Sequence, residues 1–126
     1  MVEVLLHPYR CRYLDTWTLL SVIIAVTERV TVFPDVANLP LRQPSVLAKA
    51  AAGPDLLSGG RVELGLGAGG FREAIEAYGG PRRTRGEAMD ALTEAVTVIR
   101  KVWSGERNSR CCACSPRRSS PRFAGR

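Results

Sequence analysis

The sequence is poor in histidine, aromatic residues and long apolar runs, and each shortage argues against a class of protein. The chain of 126 residues contains one histidine, and aromatic residues make up 6% of it. Its longest apolar run, residues 19–26, is far shorter than the roughly 20 residues that a membrane helix needs, so no membrane association is expected. No basic segment followed by an apolar one opens the sequence, so we predict no signal peptide and a cytoplasmic location.

Cysteine is scarce over most of the chain. Cys11 stands alone, whereas Cys111, Cys112 and Cys114 lie together near the C-terminus. Four cysteines without a secretory signal do not indicate a disulfide framework. The C-terminal group also lacks the paired spacing and the histidines of a structural zinc site, so we predict no metal site.

Acidic residues are absent from the last 20 residues, and this absence explains the net charge of +6. Residues 1–106 hold 12 basic and 12 acidic side chains, whereas residues 107–126 hold six arginines and no acid. The body of the protein therefore gives no electrostatic reason to expect nucleic acid as a partner. Residues 107–126 are dominated by arginine, serine, proline and cysteine. This composition predicts either a disordered basic tail or a stretch read in a shifted frame, because GC-rich DNA read out of frame tends to encode these four residue types.

Helical and strand patterns alternate through the remainder of the chain. The predicted elements are a helix over 14–29, a strand over 30–36, a loop over 38–44, a helix over 45–57, a strand over 61–67, a helical turn over 71–78 and a helix over 84–103. This order is typical of parallel βαβ units, so we predict an α/β fold. Pro54 lies inside the second long helix and predicts a break or kink there, since proline lacks the backbone donor.

Three apolar faces are predicted from the helical spacing. They are Trp17, Leu20, Ile24 and Thr27 on the first helix, Val46, Leu47, Ala50 and Ala51 on the second, and Met89, Leu92, Val96, Ile99 and Trp103 on the last. Asp15 is the predicted N-cap of the first helix, and Thr84 with Glu87 has the form of a capping box.

Residues 65–70 match the glycine pattern G-x-G-x-x-G between a strand and a helical turn. Such glycines let a backbone approach a phosphate, but the pattern should be followed after about 20 residues by an acid at the end of a strand. Glu87 and Asp90 have this spacing but lie in a predicted helix. A tight turn at the end of the strand is the simpler interpretation, and a small nucleotide-binding module is the alternative.

No residue pattern marks a catalytic nucleophile. The sequence contains no G-x-S-x-G motif. His7, the single histidine, is by itself more typical of a packing or surface residue than of a catalyst. A third class of function, a non-enzymatic nucleic-acid binder that uses the basic tail, also stays open.

Five segments resemble the luciferase-like, flavin-dependent monooxygenase family. They are residues 14–21 (LDTWTLLS), 36–42 (VANLPLR), 46–49 (VLAK), 55–69 (DLLSGGRVELGLGAG) and 74–84. Their order and spacing extend the resemblance over residues 7–105 and make it far more specific than the glycine pattern.

The resemblance implies a (β/α)8 barrel. Residues 1–105 would form a partial barrel domain, about strands three and four with flanking helices, and residues 106–126 a low-complexity tail outside it. Functional residues of such barrels lie at the C-terminal ends of the strands. By position, the resemblance places Asn38, Gly67, Ala68 and Gly69 against the flavin, and His7 on the same face as the catalytic candidate.

The implied cofactor is FMN or a related deazaflavin, and the implied substrate is a small organic molecule. Because such a barrel ordinarily has about 250 residues, we expect the first two strands and strands five to eight to be absent. The chain alone is then expected to bind flavin weakly and to be an inactive fragment. Association into a homo-oligomer is left open.

Overall fold

The computed structural model describes residues 2–4 and 14–105. His7 and the predicted disordered tail lie outside these ranges. The elements are β1 (Val2–Val4), α1 (Thr16–Val26), β2 (Val32–Pro34), β3 (Ala37–Asn38), a 3-10 helix (Leu39–Leu41), α2 (Pro44–Ser58), β4 (Leu66–Gly67), α3 (Arg72–Ala77) and α4 (Arg85–Ser104).

Three stretches of extended chain lie side by side in parallel. β1 pairs with β2, a single bridge joins Val32 to Val62, and β3 pairs with β4. The chain from 32 to 38 is therefore in the middle, between β1 and the stretch from 62 to 67. Parallel neighbours that are joined through helices confirm the predicted α/β alternation.

Two details of the strands differ from the prediction. β1 precedes α1, where we expected no strand, because three residues are too few to show a strand pattern and only the pairing with β2 identifies them. The strand predicted over 30–36 is instead the shorter β2, and β3 follows beyond its predicted end and reaches into the predicted loop. Pro34, which cannot donate to a ladder, ends β2, and the turn at Asp35 and Val36 contains a cis peptide bond.

α1 begins where its cap was predicted. The Asp15 carboxylate accepts a hydrogen bond from the Thr18 backbone N–H at 3.2 Å, and such a cap satisfies one of the orphan donors of a helix N-terminus. Trp17, Leu20 and Ile24 are buried, as the spacing predicts. Among the helices between residues 14 and 105, none is both long and apolar enough to cross a membrane.

α2 continues through Pro54 to Ser58, so the predicted break is absent. The proline removes only one intrahelical hydrogen bond, and it lies within the last turn and a half of the helix. Gly59 then ends α2 in the left-handed conformation, with φ +72°. The buried face also differs from the prediction, since Leu47, Ala48 and Ala51 are buried whereas Val46 is 48% exposed.

α4 has the predicted capping box. Thr84 Oγ1 accepts from the Glu87 backbone N–H, and the Glu87 carboxylate accepts from the Thr84 backbone N–H at 2.7 Å. This pairing lowers the pKa of Glu87, because hydrogen bonds to a carboxylate favour its charged form. The helix buries Ala95 and Ile99, but Met89 is 56% exposed, so the buried face is narrower than predicted.

Arg61 ties the N-terminal side of the sheet to two helices. Its guanidinium donates to the carbonyl oxygens of Ile24, Val30 and Ser58 at 3.0, 3.1 and 3.2 Å, and to Thr27 Oγ1 at 3.3 Å. Those carbonyls include helix-end groups that have no intrahelical partner. Arg61 therefore stabilises the edge of the fold opposite the C-terminal strand ends.

Candidate active site

The C-terminal ends of β3 and β4 bring the predicted site residues together. Asn38 is the register neighbour of Gly67, and Ala37 pairs with Leu66. The chain then continues from Gly67 into Ala68 and Gly69 beside the segment that follows Asn38. Four of the five predicted site residues thus lie at one edge of the sheet.

Two of these glycines are required by the packing of the chain itself. A Cβ at Gly67 would lie 2.4 Å from Val36 Cγ2. A Cβ at Gly69, where φ is +90°, would lie 2.6 Å from the Pro40 ring and 2.7 Å from Ile75 Cδ1. Approach of a flat cofactor is therefore not the only reason for small residues here, because the two strand ends already approach each other closely.

The glycine pattern has a tight-turn explanation as well. A Cβ at Gly65 would lie 2.6 Å from the Pro34 carbonyl oxygen, so this glycine permits close strand packing. The helix that follows, α3, has only six residues, and its N-cap Phe71 makes no side-chain cap hydrogen bond. Neither feature favours the phosphate cradle of a nucleotide-binding module, in which the glycine loop opens a long helix.

Asn38 lines a cavity of about 220 Å³ that opens between α1 and α2. Its Oδ1 atom is buried. The cavity floor includes the buried residues Trp17 and Leu47. Asn38 thus places a polar side chain at the boundary between the strand ends and the cavity.

An ion pair lies at the mouth of this cavity. The Arg42 guanidinium donates to the Asp15 carboxylate, which also accepts from Thr18 as the cap of α1. Both side chains are partly exposed, at 38% and 47%. The sequence analysis identified Asp15 only as a cap and assigned no role to Arg42, because residues 27 positions apart show no joint signal in a sequence.

Val36 is another site residue that the sequence analysis did not select. It is 47% exposed, and its side chain lies against Gly67 at the strand ends. A half-exposed valine next to small residues gives this edge an apolar surface, which a flat ring system could contact. Its position two residues before the predicted site residue Asn38 was the one available signal.

A local basic cluster, formed by Arg82, Arg83 and Arg85, lies outside this edge. Arg82 donates to the Glu76 carboxylate at 2.9 Å, and both side chains are exposed to solvent. Within the described ranges, no group of three or more histidine, cysteine or acidic side chains could hold a metal ion. The cysteines at 111, 112 and 114 lie outside those ranges.

Comparison with known proteins identifies relatives of the chain. The model of the luciferase-like monooxygenase family matches residues 2–115, past Glu106, where the sequence analysis ends the resemblance. An uncharacterized protein of Mycobacterium tuberculosis is 33% identical over 94 residues, which are 75% of this chain and 32% of that protein. The F420-dependent hydroxymycolic acid dehydrogenase of the same organism is 42% identical over 69 residues, 52% of this chain and 18% of the relative.

A solved structure shares the fold. The oxygenating constituent of 3,6-diketocamphane monooxygenase from Pseudomonas putida, determined in complex with FMN, superposes with a TM-score of 0.70 at 22% identity. The superposition covers 80% of this chain and 28% of that one. The chain thus spans about a third or less of the length of these relatives. Since the family model matches most of the sequence, the chain belongs to the luciferase-like monooxygenase family.

Proposed function

We propose that this chain is part of a flavin-dependent oxidoreductase that holds FMN or a related deazaflavin at the C-terminal ends of β3 and β4. The substrate would be a small organic molecule. The observation that carries the proposal is the register of Asn38 with Gly67, which places the implied cofactor residues at one strand edge. In barrels of this kind, that edge is where active sites form.

The residues at this edge fit a flavin. An isoalloxazine ring has apolar faces and a polar edge with donors and acceptors. Val36 supplies exposed apolar surface, and Asn38 supplies a polar side chain next to it. Ala68 and Gly69 carry little or no side chain, so they would let a flat ring approach the backbone closely.

The bound flavin would supply the redox chemistry, either by using oxygen or by passing hydride. The side chains of this chain would then bind and orient the ring and exclude water, and none needs to act as a nucleophile. The relatives support both cofactor types, since one is named as F420-dependent and another was determined with FMN.

Binding by this chain alone is proposed to be weak. In barrels of this kind, the phosphate site is frequently built from the loops after strands seven and eight. The described residues of this chain instead provide three parallel strand stretches. We therefore expect a dissociation constant for FMN of about 1 μM or larger, which corresponds to a binding free energy no more favourable than about −8 kcal/mol. We also expect no turnover without further barrel elements.

A fluorescence titration of FMN, and in parallel of a deazaflavin, with the full chain tests the proposal. Asn38→Leu replaces the carboxamide by an apolar side chain of the same branching and should weaken flavin binding by about tenfold, as expected for the loss of one or two hydrogen bonds. Gln43→Leu is the matched control, because Gln43 is exposed at the start of α2 and makes no side-chain cap hydrogen bond.

The outcomes separate clearly. Weak binding that is lost in Asn38→Leu and retained in Gln43→Leu would support the site. Equal binding by both variants would place the flavin elsewhere. Submicromolar FMN binding by the monomeric chain would contradict the expectation of weak binding.

A further inference from the structure

The cavity beside Asn38 has the size of a binding site for one ring. It lies between the first turn of α1, the C-terminal end of β3 and the segment that leads into α2, and its volume is about 220 Å³. For comparison, an engineered apolar cavity of about 150 Å³ in another protein accepts benzene. A six-membered ring with one small polar substituent therefore fits.

The most buried residues of the cavity lining are apolar. They are Trp17, Ala37 and Leu47, with exposed fractions of 7%, 6% and 0%. Burial of a ring against such side chains contributes roughly 25 cal/mol per Å² of apolar surface. The floor thus favours a hydrocarbon ring over a flexible polar chain.

The charges at the mouth favour a neutral ligand. Arg42 is already paired with the Asp15 carboxylate, so the part of the lining that the structure describes carries no net charge. An anion would have to displace Asp15 from Arg42 and would lie close to that carboxylate. A cation would have to compete with Arg42 for the same oxygens. A neutral molecule leaves the pair intact.

The polar groups in the lining favour an acceptor oxygen on the ligand. Thr16 and Trp17 are the first two residues of α1, and their backbone N–H groups have no carbonyl within the helix to bind. The Thr16 hydroxyl and the Arg42 guanidinium are further donors in the lining. A carbonyl oxygen accepts from such groups without adding charge.

We propose that this cavity binds a neutral, single-ring organic molecule with one carbonyl oxygen. Its role as the substrate subsite of the enzyme rests on the proposed function. Asn38 connects the two sites, because it lines the cavity and is the register neighbour of Gly67 at the flavin edge.

The test is a titration of the full, ¹⁵N-labelled chain with cyclohexanone, without flavin, followed by NMR. The side-chain amide of Asn38 and the indole N–H of Trp17 should shift in a saturable manner. Cyclohexanecarboxylate has the same ring with a negative charge, and it should bind at least about tenfold more weakly, a difference of about 1.4 kcal/mol.

Two variants locate the binding site. Thr16→Phe fills the cavity from its rim and should weaken cyclohexanone binding by about tenfold or more. Val22→Phe is the control, since Val22 is 53% exposed on the same helix and does not line the cavity. The dissociation constant of cyclohexanone for Val22→Phe should stay within about twofold of its value for the unmodified chain. The comparison of the two probes needs no variant, so it stands even if Thr16→Phe does not fold.

Three results would overturn the proposal: no saturable shifts, carboxylate binding as tight as that of the ketone, or unchanged binding in a folded Thr16→Phe variant. The separate flavin titration distinguishes the two hypotheses. Flavin binding without cyclohexanone binding rejects the cavity alone. Cyclohexanone binding by a chain that binds no flavin keeps the cavity as a ring-binding site and overturns its role as a substrate subsite.

Discussion

Replacing Gly69 by alanine should destabilise the protein far more than replacing its neighbour Gly70. Gly69 has a φ of +90°, and a Cβ there would lie 2.6 Å from the Pro40 ring and 2.7 Å from Ile75 Cδ1. Gly70 has an ordinary φ, and no atom lies within 4 Å of a Cβ built on it. The two substitutions are chemically identical and adjacent, so each is the control for the other.

The magnitude follows from two costs. Holding a residue with a Cβ in the left-handed region costs roughly 1–2 kcal/mol. Overpacking against Pro40 and Ile75 costs about 1–3 kcal/mol, because a proline ring cannot rotate away and Ile75 is only 2% exposed. The expected loss for Gly69→Ala is therefore about 2–5 kcal/mol, a large part of the 5–15 kcal/mol that stabilises an ordinary domain.

Thermal unfolding followed by circular dichroism, without any ligand, measures the difference. At roughly 4 °C or more per kcal/mol, Gly69→Ala should lower Tm by about 8–20 °C. Gly70→Ala should change the free energy of unfolding by no more than about 0.5 kcal/mol. Equal Tm values for the two variants would refute the packing argument, and contact with the flavin would then be the remaining reason for Gly69.

Three further predictions concern interactions away from the site. Arg61→Met should lower the free energy of unfolding, measured in urea, by about 2–4 kcal/mol, because three carbonyls lose a charged donor. The control Arg100→Met, at an exposed position, should change this free energy by less than about 0.5 kcal/mol. A similar loss in both variants would contradict the role of Arg61. Trp103→Phe removes the 2.9 Å hydrogen bond from the indole to a carbonyl of α2 and should cost about 1 kcal/mol in the same assay, whereas an unchanged midpoint would show that this bond contributes nothing. The folded-state pKa of Glu87 is depressed, so the stabilisation by its carboxylate is present above the ordinary pKa of 4.5 and is lost as pH falls through the lower folded value. The excess of the Tm of the unmodified chain over that of Glu87→Gln should therefore shrink from pH 6 to pH 3. An excess that is constant over this range would contradict the role of the Thr84 cap.

The sequence predicted most of the helical structure, because helix signals are local. Asp15, and Thr84 with Glu87, mark the starts of two helices through bonds within one turn, and the structure confirms both of them. The buried face of α1 followed from spacing alone. The family was also recognisable from the order of five short segments, and the family model confirms it.

The strands were predicted less well, since pairing partners lie far apart in the chain. β1 became visible only through its pairing with β2. The predicted strand over 30–36 proved to be the shorter β2, and a turn separates it from β3, which was not predicted as a strand. The exposure of Met89 and Val46 likewise depends on which elements pack against α4 and α2. A helical spacing identifies an apolar face but not how much of it is covered.

By itself, then, the sequence determined where α1 and α4 begin, the α/β alternation and, through the family resemblance, the family and the candidates Asn38, Gly67, Ala68 and Gly69. Only the tertiary structure decided that Asn38 and Gly67 are register neighbours, that Gly69 packs against Pro40 and Ile75, and that Asp15 pairs with Arg42 at the mouth of a cavity. The physical reason is range. Caps and helical spacing act within a few residues, whereas strand register, close backbone approach and long-range ion pairs exist only once distant segments have packed together.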